Sequence, residues 1–437
     1  MDIVRDSSLG LAISNLVVNA YTSKCPRTGK PSIRSNGVEE WTILAGVVAI
    51  MPQQAHTSSE PLQLVSLATG SKAVPDSMRP YSKGRMVHDL HSEMLALRAL
   101  NYHLLHECVK LKLGRTSSLV ETNPDSVTNK AFRIKEGMRF ALFITEPPCG
   151  DASMGYLAQS EKFDGMKKTE RDERVKGLLS VSYLTNPTSK SNSTEASPTV
   201  YENEPPLKRA KMSVPGVVRG RDGYYHLGTV RTKPGRADSP ISLSKSCLDK
   251  LTLKQFTSFL NCINSLILSS DRAHLSYLVL AEDKFTEVDM TRCFRERFEA
   301  DCTPFSLLTY KDSGTFPHGK PDINGPKMVP SPLSLVYIPS TDLVEVLNGG
   351  VKQGCNLNAN KTMKLFTQTG CGVKRGGESA LSNYRMFSEA VSRGLISLGG
   401  SYNGWKKSHT QREELKKRSR GYLGEWVATQ VDDFVVV

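Results

Sequence analysis

The chain predicts an α/β fold in which a sheet is covered by helices. Two observations carry that prediction. Apolar patterning after the first helix runs strand, strand, helix, strand, helix, an order that layers helices over a sheet. With 437 residues, of which 38% are hydrophobic, the chain also has enough apolar side chains for a large core.

Taken in order, Leu9 to Tyr21 reads as an amphipathic helix, followed by a polar turn carrying Pro26, Gly29 and Pro31. Trp41 to Ile50 and Leu62 to Thr69 are strand-like runs joined as a hairpin. From His91 to Val109 the apolar residues Met94, Leu95, Leu97, Leu100, Leu104, Leu105 and Val109 recur at helical spacing. That burial face leaves His91 and Glu93 at the helix start. Arg139 to Thr145 is the next strand, stopped by Pro147 and Pro148, which open another helix at Cys149. Residues 186–216 are rich in Ser, Pro, Asn, Glu and Lys without apolar periodicity, the composition of a disordered insertion. Its basic run Pro206 to Lys211 reads as a solvated stretch or a weak nuclear-import signal. Leu251 to Leu268 is a further amphipathic helix, and Tyr402 to Lys416 a basic one.

Charge and cysteine content narrow the function. Fifty-seven Lys+Arg against 44 Asp+Glu leave a net charge of +13, which favours a polyanionic partner, nucleic acid first. Nine cysteines at irregular spacing, without a CxxC pair, point to a reducing intracellular compartment, nucleus or cytoplasm, and not to a disulfide framework. No run reaches the length of a membrane span. A soluble protein is expected.

Two short motifs supply the chemistry. His91-Ser92-Glu93 offers an imidazole and a carboxylate at a helix start, and Pro148-Cys149-Gly150-Asp151 offers a thiolate after a strand. A helix N-terminus stabilises both a thiolate and a hydroxide. A catalytic zinc needs three protein ligands, and the position where a second cysteine would follow Cys149 is Ala152. The third ligand must come from elsewhere. Cys247 is the best placed, because it immediately precedes the Leu251 helix and repeats the helix-start setting of the other two. The remaining cysteines read as buried thiols.

With these residues the chain resembles the RNA adenosine deaminases, and among them the eukaryotic tRNA-specific branch. The resemblance rests on His91-Ser-Glu93, Pro148-Cys149-Gly-Asp151, Val230-Arg-Thr-Lys-Pro-Gly-Arg-Ala-Asp238 and Ser246-Cys247-Leu-Asp-Lys250, and covers essentially the whole chain as one deaminase domain. It implies a cytidine-deaminase-like three-layer core, a mixed sheet between helices, enlarged by a mainly helical C-terminal part that encloses inositol hexakisphosphate. It implies hydrolysis of adenosine to inosine at position 37, beside the anticodon of alanine tRNA, with zinc on His91, Cys149 and Cys247 and proton transfer by Glu93. The early start of the deaminase motifs leaves no room for a double-stranded-RNA-binding module, and a monomer is expected.

Matched by position, the inositol-phosphate ligands would be Arg98, Lys250, Lys374, Tyr402, Lys406, Arg412 and Lys416. On one helix Tyr402, Lys406, Arg412 and Lys416 would share a face. Lys254 and Arg412 stand where the family carries aromatic residues, and both substitutions add positive charge. Substrate contacts would come from Lys72, Arg231, Lys233 and Arg236, and Asp89 would orient Lys233 or Lys250 through a buried ion pair. Alternative readings are an mRNA-editing adenosine deaminase, a cytidine deaminase, and a catalytically silent RNA-binding subunit.

Overall fold

A computed structural model describes residues 1–53, 60–124, 130–155, 217–220, 227–233, 239–298, 302–311, 316–321, 325–397, 399–424 and 426–436. The insertion expected at 186–216, its basic run and Arg236 lie outside the described residues.

The centre is a nine-stranded mixed sheet in the order Ile3–Val4, Ser306–Tyr310, Tyr277–Ala281, Arg139–Ile144, Leu44–Ile50, Leu62–Thr69, Leu333–Ile338, Leu343–Asn348 and Val351–Lys352. The first four run parallel and the rest pair antiparallel, with the predicted hairpin at the middle. Central strands buried on both faces carry apolar residues at nearly every position, and Leu44–Ile50 is buried throughout.

Alternation splits that strand between two helical layers. Leu44, Val48 and Ile50 pack with Ile13, Val17, Val18 and Tyr21 of the Ser8–Lys24 helix. Ala45, Val47 and Ala49 face the other way, in the core that holds Leu95, Ala96, Ala99 and Leu100 of the Ser92–Lys112 helix. Gly46 is needed between them, because a side chain there would press within 2.6 Å of Val17. Truncating a fully buried residue such as Leu95 to Ala would cost about 2–5 kcal/mol.

Two predicted helices are each broken in two. Leu251 to Leu268 divides into Cys247–Thr257 and Cys262–Ile267 because Ser258 adopts φ 100°. This turn exposes the carbonyls of Phe259 and Leu260 to cationic donors. Tyr402 to Lys416 divides into Tyr402–Ser408 and Thr410–Leu423, with His409 at the break bonding the Ser265 carbonyl at 2.7 Å. After Cys149 the described chain forms a 3-10 turn, Asp151–Ser153. All nine cysteines are free, and no helix among the described residues is long and apolar enough to cross a membrane.

Candidate active site

Three segments from distant parts of the chain deliver the site. A short hairpin pairs Ser71–Ala73 with Asp89–His91 and sets His91 at the N-cap of the Ser92–Lys112 helix. Gly70 makes room for it: its φ is 146°, and a side chain would lie 2.2 Å from the Leu90 carbonyl. Cys149 leaves the end of the Arg139–Ile144 strand, and Cys247 opens the Cys247–Thr257 helix, whose N-cap Ser246 accepts the Asp249 N–H at 3.1 Å.

The two cysteine segments touch through Gly150. The Leu248 N–H donates to the Cys149 carbonyl at 3.1 Å, and the Cys247 N–H to the Cys149 sulfur at 3.2 Å. Gly150 has φ 115°, and any side chain there would stand 2.5 Å from the Ser246 hydroxyl. His91 Nδ1 lies 3.7 Å from Cys149 Sγ, and ligand atoms of His91, Cys149 and Cys247 all fall within 4.8 Å of one another. Three soft or borderline donors at this spacing suit tetrahedral zinc with one position left for water.

Around the cluster the electrostatics are strongly biased. The Cys149 thiol is held well below its usual range by its hydrogen bond with Cys247 and by the nearby His91 and Lys233, whereas burial pushes the Cys247 thiol up. Glu93 is buried beside them, and burial raises its carboxyl, with His91 opposing. Its Oε2 accepts the Ser92 hydroxyl at 3.2 Å.

Lys233 reaches the Cys247 sulfur at 3.1 Å and both oxygens of Asp89 at 2.8 and 2.9 Å. Asp89 also accepts the Lys250 ammonium. Burial alone would raise the Asp89 carboxyl, but Lys233, Lys250 and His91 hold it well below the usual carboxylate range. Lys233 thus sits against the His91–Cys149–Cys247 cluster. Arg231 is also turned inward, where its Nε donates to Asp151 at 2.8 Å between side chains 1% and 0% exposed. It braces the turn after Cys149, and does not stand on an open substrate face. Lys72 pairs across the hairpin with Leu90, one residue before His91.

Beyond Lys250 lies a buried group of cations. Lys254 donates to the Phe259 carbonyl at 3.1 Å, Arg412 to the Leu260 carbonyl at 2.8 Å, and Arg98 to Leu381 O and Asn383 Oδ1 at 2.9 Å each. Burial first, then Arg412, Arg98, Lys250 and Lys416, lower the Lys254 ammonium to about 7. The buried Arg412 Nε has no hydrogen-bond partner among the described residues. Carboxylates meet only part of this charge, Asp89 on Lys250 and Glu413 on Lys416. Tyr402 closes the group, stacked on Phe434 at 4.9 Å. Lys406, on the Tyr402–Ser408 helix, is exposed, and so is Lys374, whose neighbour Val373 packs with Val74, Met78 and Met86. The structure does not bring those two lysines into the buried group.

The sequence reading missed several supports: Gly150 and Ser246 under the two cysteines, Asn383 on Arg98, and Asp432. Asp432 accepts the Ser82 hydroxyl and His88 Nε2, both at 2.7 Å, and thereby fastens the C-terminal segment beside the metal hairpin. Only the Pro-Cys-Gly sequence at Gly150 offered a local signal.

The pairing of this cluster with a buried glutamate agrees with a comparison of family models, in which the adenosine-deaminase (editase) domain matches residues 66–429. The chain belongs to the adenosine-deaminase (editase) domain family. Among relatives, tRNA-specific adenosine deaminase 1 of Saccharomyces cerevisiae is 37% identical over 59% of this chain and 55% of its own length. The Schizosaccharomyces pombe protein of the same name is 29% identical over 98% of this chain and 97% of its own. The human one is 30% identical over 32% of this chain and 28% of its own. The chain thus spans about half of the first relative's length and nearly all of the second's. The editase match contains His91, Glu93, Cys149 and Cys247 together.

Proposed function

We propose that this chain is a zinc-dependent deaminase that hydrolyses adenosine to inosine in tRNA, at position 37 beside the anticodon of alanine tRNA. One observation carries the reading: His91, Cys149 and Cys247 converge within 4.8 Å with the buried Glu93 two residues along from His91. Zinc supplies, when bound there, a water whose pKa falls towards neutrality.

The chain's own residues do the rest. Glu93 takes one proton from the attacking water and passes it to N1 of adenine as C6 is attacked, then takes the remaining proton from the new C6 hydroxyl and gives it to the departing amine. Adenosine and water become inosine and ammonia. Its raised pKa suits a group that must hold a proton between those two transfers. Lys233 holds Cys247 and Arg231 steadies the Cys149 turn, and Lys72 and Arg236 are the proposed contacts for the RNA.

The buried cations fit a compact polyanion, because uncompensated buried charge is costly and the Arg412 Nε lacks a partner among the described residues. Inositol hexakisphosphate, on Arg98, Lys250, Tyr402, Arg412 and Lys416 with Lys254 added, is the proposed occupant. We further take residues 1–437 as one deaminase domain, acting as a monomer inside the cell.

The test is incubation of the zinc-loaded protein with unmodified alanine tRNA transcript, with inosine mapped by sequencing and Glu93→Gln alongside. Inosine at position 37 from the wild type alone, with zinc retained by the variant, is the expected result. An unmodified transcript that is nonetheless bound would favour the silent RNA-binding reading.

A further inference from the structure

A groove of about 510 Å³ lies away from the metal ligands, lined by Lys83, Arg85, Gly370, Cys371, Tyr384, Asp433, Phe434 and Val435. The Arg85 guanidinium sits 3.6 Å from the centre of the Tyr384 ring and pairs with Glu378 at 3.2 Å. Lys83 lies 5.7 Å over Phe366. Asp433, the acid in the lining, is engaged by the backbone N–H groups of Asn403 and Phe434 at 2.9 and 3.0 Å.

The rim is more basic than the groove itself. Residues 346–377 contain five Lys or Arg and no Asp or Glu. This stretch is fastened to the groove by the Gly372 N–H on the Tyr81 carbonyl at 2.7 Å and by Phe366 edge-on to Tyr81 at 5.2 Å. Its Lys361, Lys364, Lys374 and Arg375 are exposed. Glu378 and Glu345 pair with Arg85 and Lys352, and the four exposed basic residues beside a ring and a guanidinium form a surface with the chemistry of phosphodiester and base recognition. An acidic protein would meet the same charge but has no use for the Arg85–Tyr384 pair as a stacking platform.

We infer that this groove and its rim are a second docking surface for tRNA, gripping backbone phosphates outside the nucleotide being deaminated. The inference rests on the tRNA deaminase reading above. Position supports it: Lys83 precedes His91 by eight residues, so the chain places the two within about 26 Å. Some eight nucleotides of a strand at ~3.4 Å each span that distance.

Two full-length, zinc-loaded variants test it: Lys361→Ser/Lys364→Ser/Lys374→Ser/Arg375→Ser at the rim, and Lys83→Ser/Arg85→Ser in the groove. Alanine tRNA transcript is bound at several KCl concentrations, and inosine formation is followed with wild type and variants. Expected is a rise in Kd and KM of about tenfold or more for the rim variant, with its salt slope shallower by ~3. A smaller rise in the same direction is expected for the groove variant. Wild-type Kd and slope in both variants would overturn the inference, as would an equal loss of affinity for a polyglutamate peptide, which would assign the surface to an acidic protein. If wild type binds tRNA without forming inosine while the rim variant still loses affinity, the docking surface stands and the deaminase reading fails.

Discussion

Asp89 is shared between two lysines that belong to different sites: Lys233, which also touches the Cys247 sulfur, and Lys250, which faces the buried cations. The carboxylate is the only acid among the described residues that pairs with both. It joins the metal cluster to the cation group by direct contacts.

Removing that charge while keeping its shape exposes the cost. Asp89→Asn leaves two buried ammonium groups without their counter-ion, and loss of one partner in a buried pair typically costs ~3–5 kcal/mol. Urea unfolding of the variant should show a loss of about that size at unchanged slope. A loss under about 1 kcal/mol would show the two lysines to be neutralised in some other way.

Cys247 should be indispensable for the metal. Cys247→Ser is expected to leave the protein folded with zinc well below one equivalent after dialysis, because serine is a far weaker ligand than a thiolate. Full zinc occupancy would remove Cys247 from the ligand set.

The contact between the cysteine segments predicts a remote route to the same defect. Gly150→Ala sets a methyl 2.5 Å from the Ser246 hydroxyl in a backbone with φ 115°. The Cys149 turn must then back away from Cys247, and zinc affinity should fall at least tenfold with the core helices intact by circular dichroism. Wild-type zinc affinity would show that the turn has slack.

Lys254 gives a pH dependence whose sign is set by its depressed pKa. Folded, it loses its proton near about 7, whereas in an unfolded chain it does so near the ordinary lysine value. Between those values the unfolded chain binds the extra proton, so stability of the polyanion-free protein rises with pH across that window and levels off below it. Burial contributes most to the shift, and Arg412 and Lys416 from one helix, Arg98 from another and Lys250 from its own add to it. Lys245, lowered by burial to about 8, acts in the same direction. Melting temperatures of wild type and Lys254→Met should therefore converge at high pH and diverge towards neutrality, with the variant the more stable. Added inositol hexakisphosphate should stabilise wild type most near neutrality. Parallel melting curves at all pH values would show Lys254 charged throughout.

Much of the site was readable in the chain because its signals are local. His91-Ser-Glu93 sits at a helix start, and an imidazole, two thiols and a carboxylate have few other joint uses. The hairpin, the helix after His91 and a sheet covered by helices followed from apolar periodicity, which burial on one or both faces imposes directly, whereas the mixed strand order was implied by the family resemblance. Periodicity could not show the breaks at Ser258 and His409, since an apolar pattern continues across a turn that long-range hydrogen bonds pay back. The break at His409 puts Arg412 and Lys416 on a different helix from Tyr402 and Lys406, and of the four only Lys406 is exposed.

Residue types and local patterning made the candidate metal ligands, the candidate proton carrier and the α/β layering legible, because each is marked by a short motif or by apolar periodicity, although the three ligands themselves come from segments 58 and 98 residues apart. Tertiary structure alone decided which charges are buried and who neutralises them. Lys233 and Asp89 are 144 residues apart, and Arg231 and Asp151 80. A basic residue reads the same in sequence whether it meets solvent, RNA or a buried carboxylate, because desolvation and Coulomb pairing act between groups that only the folded chain brings together.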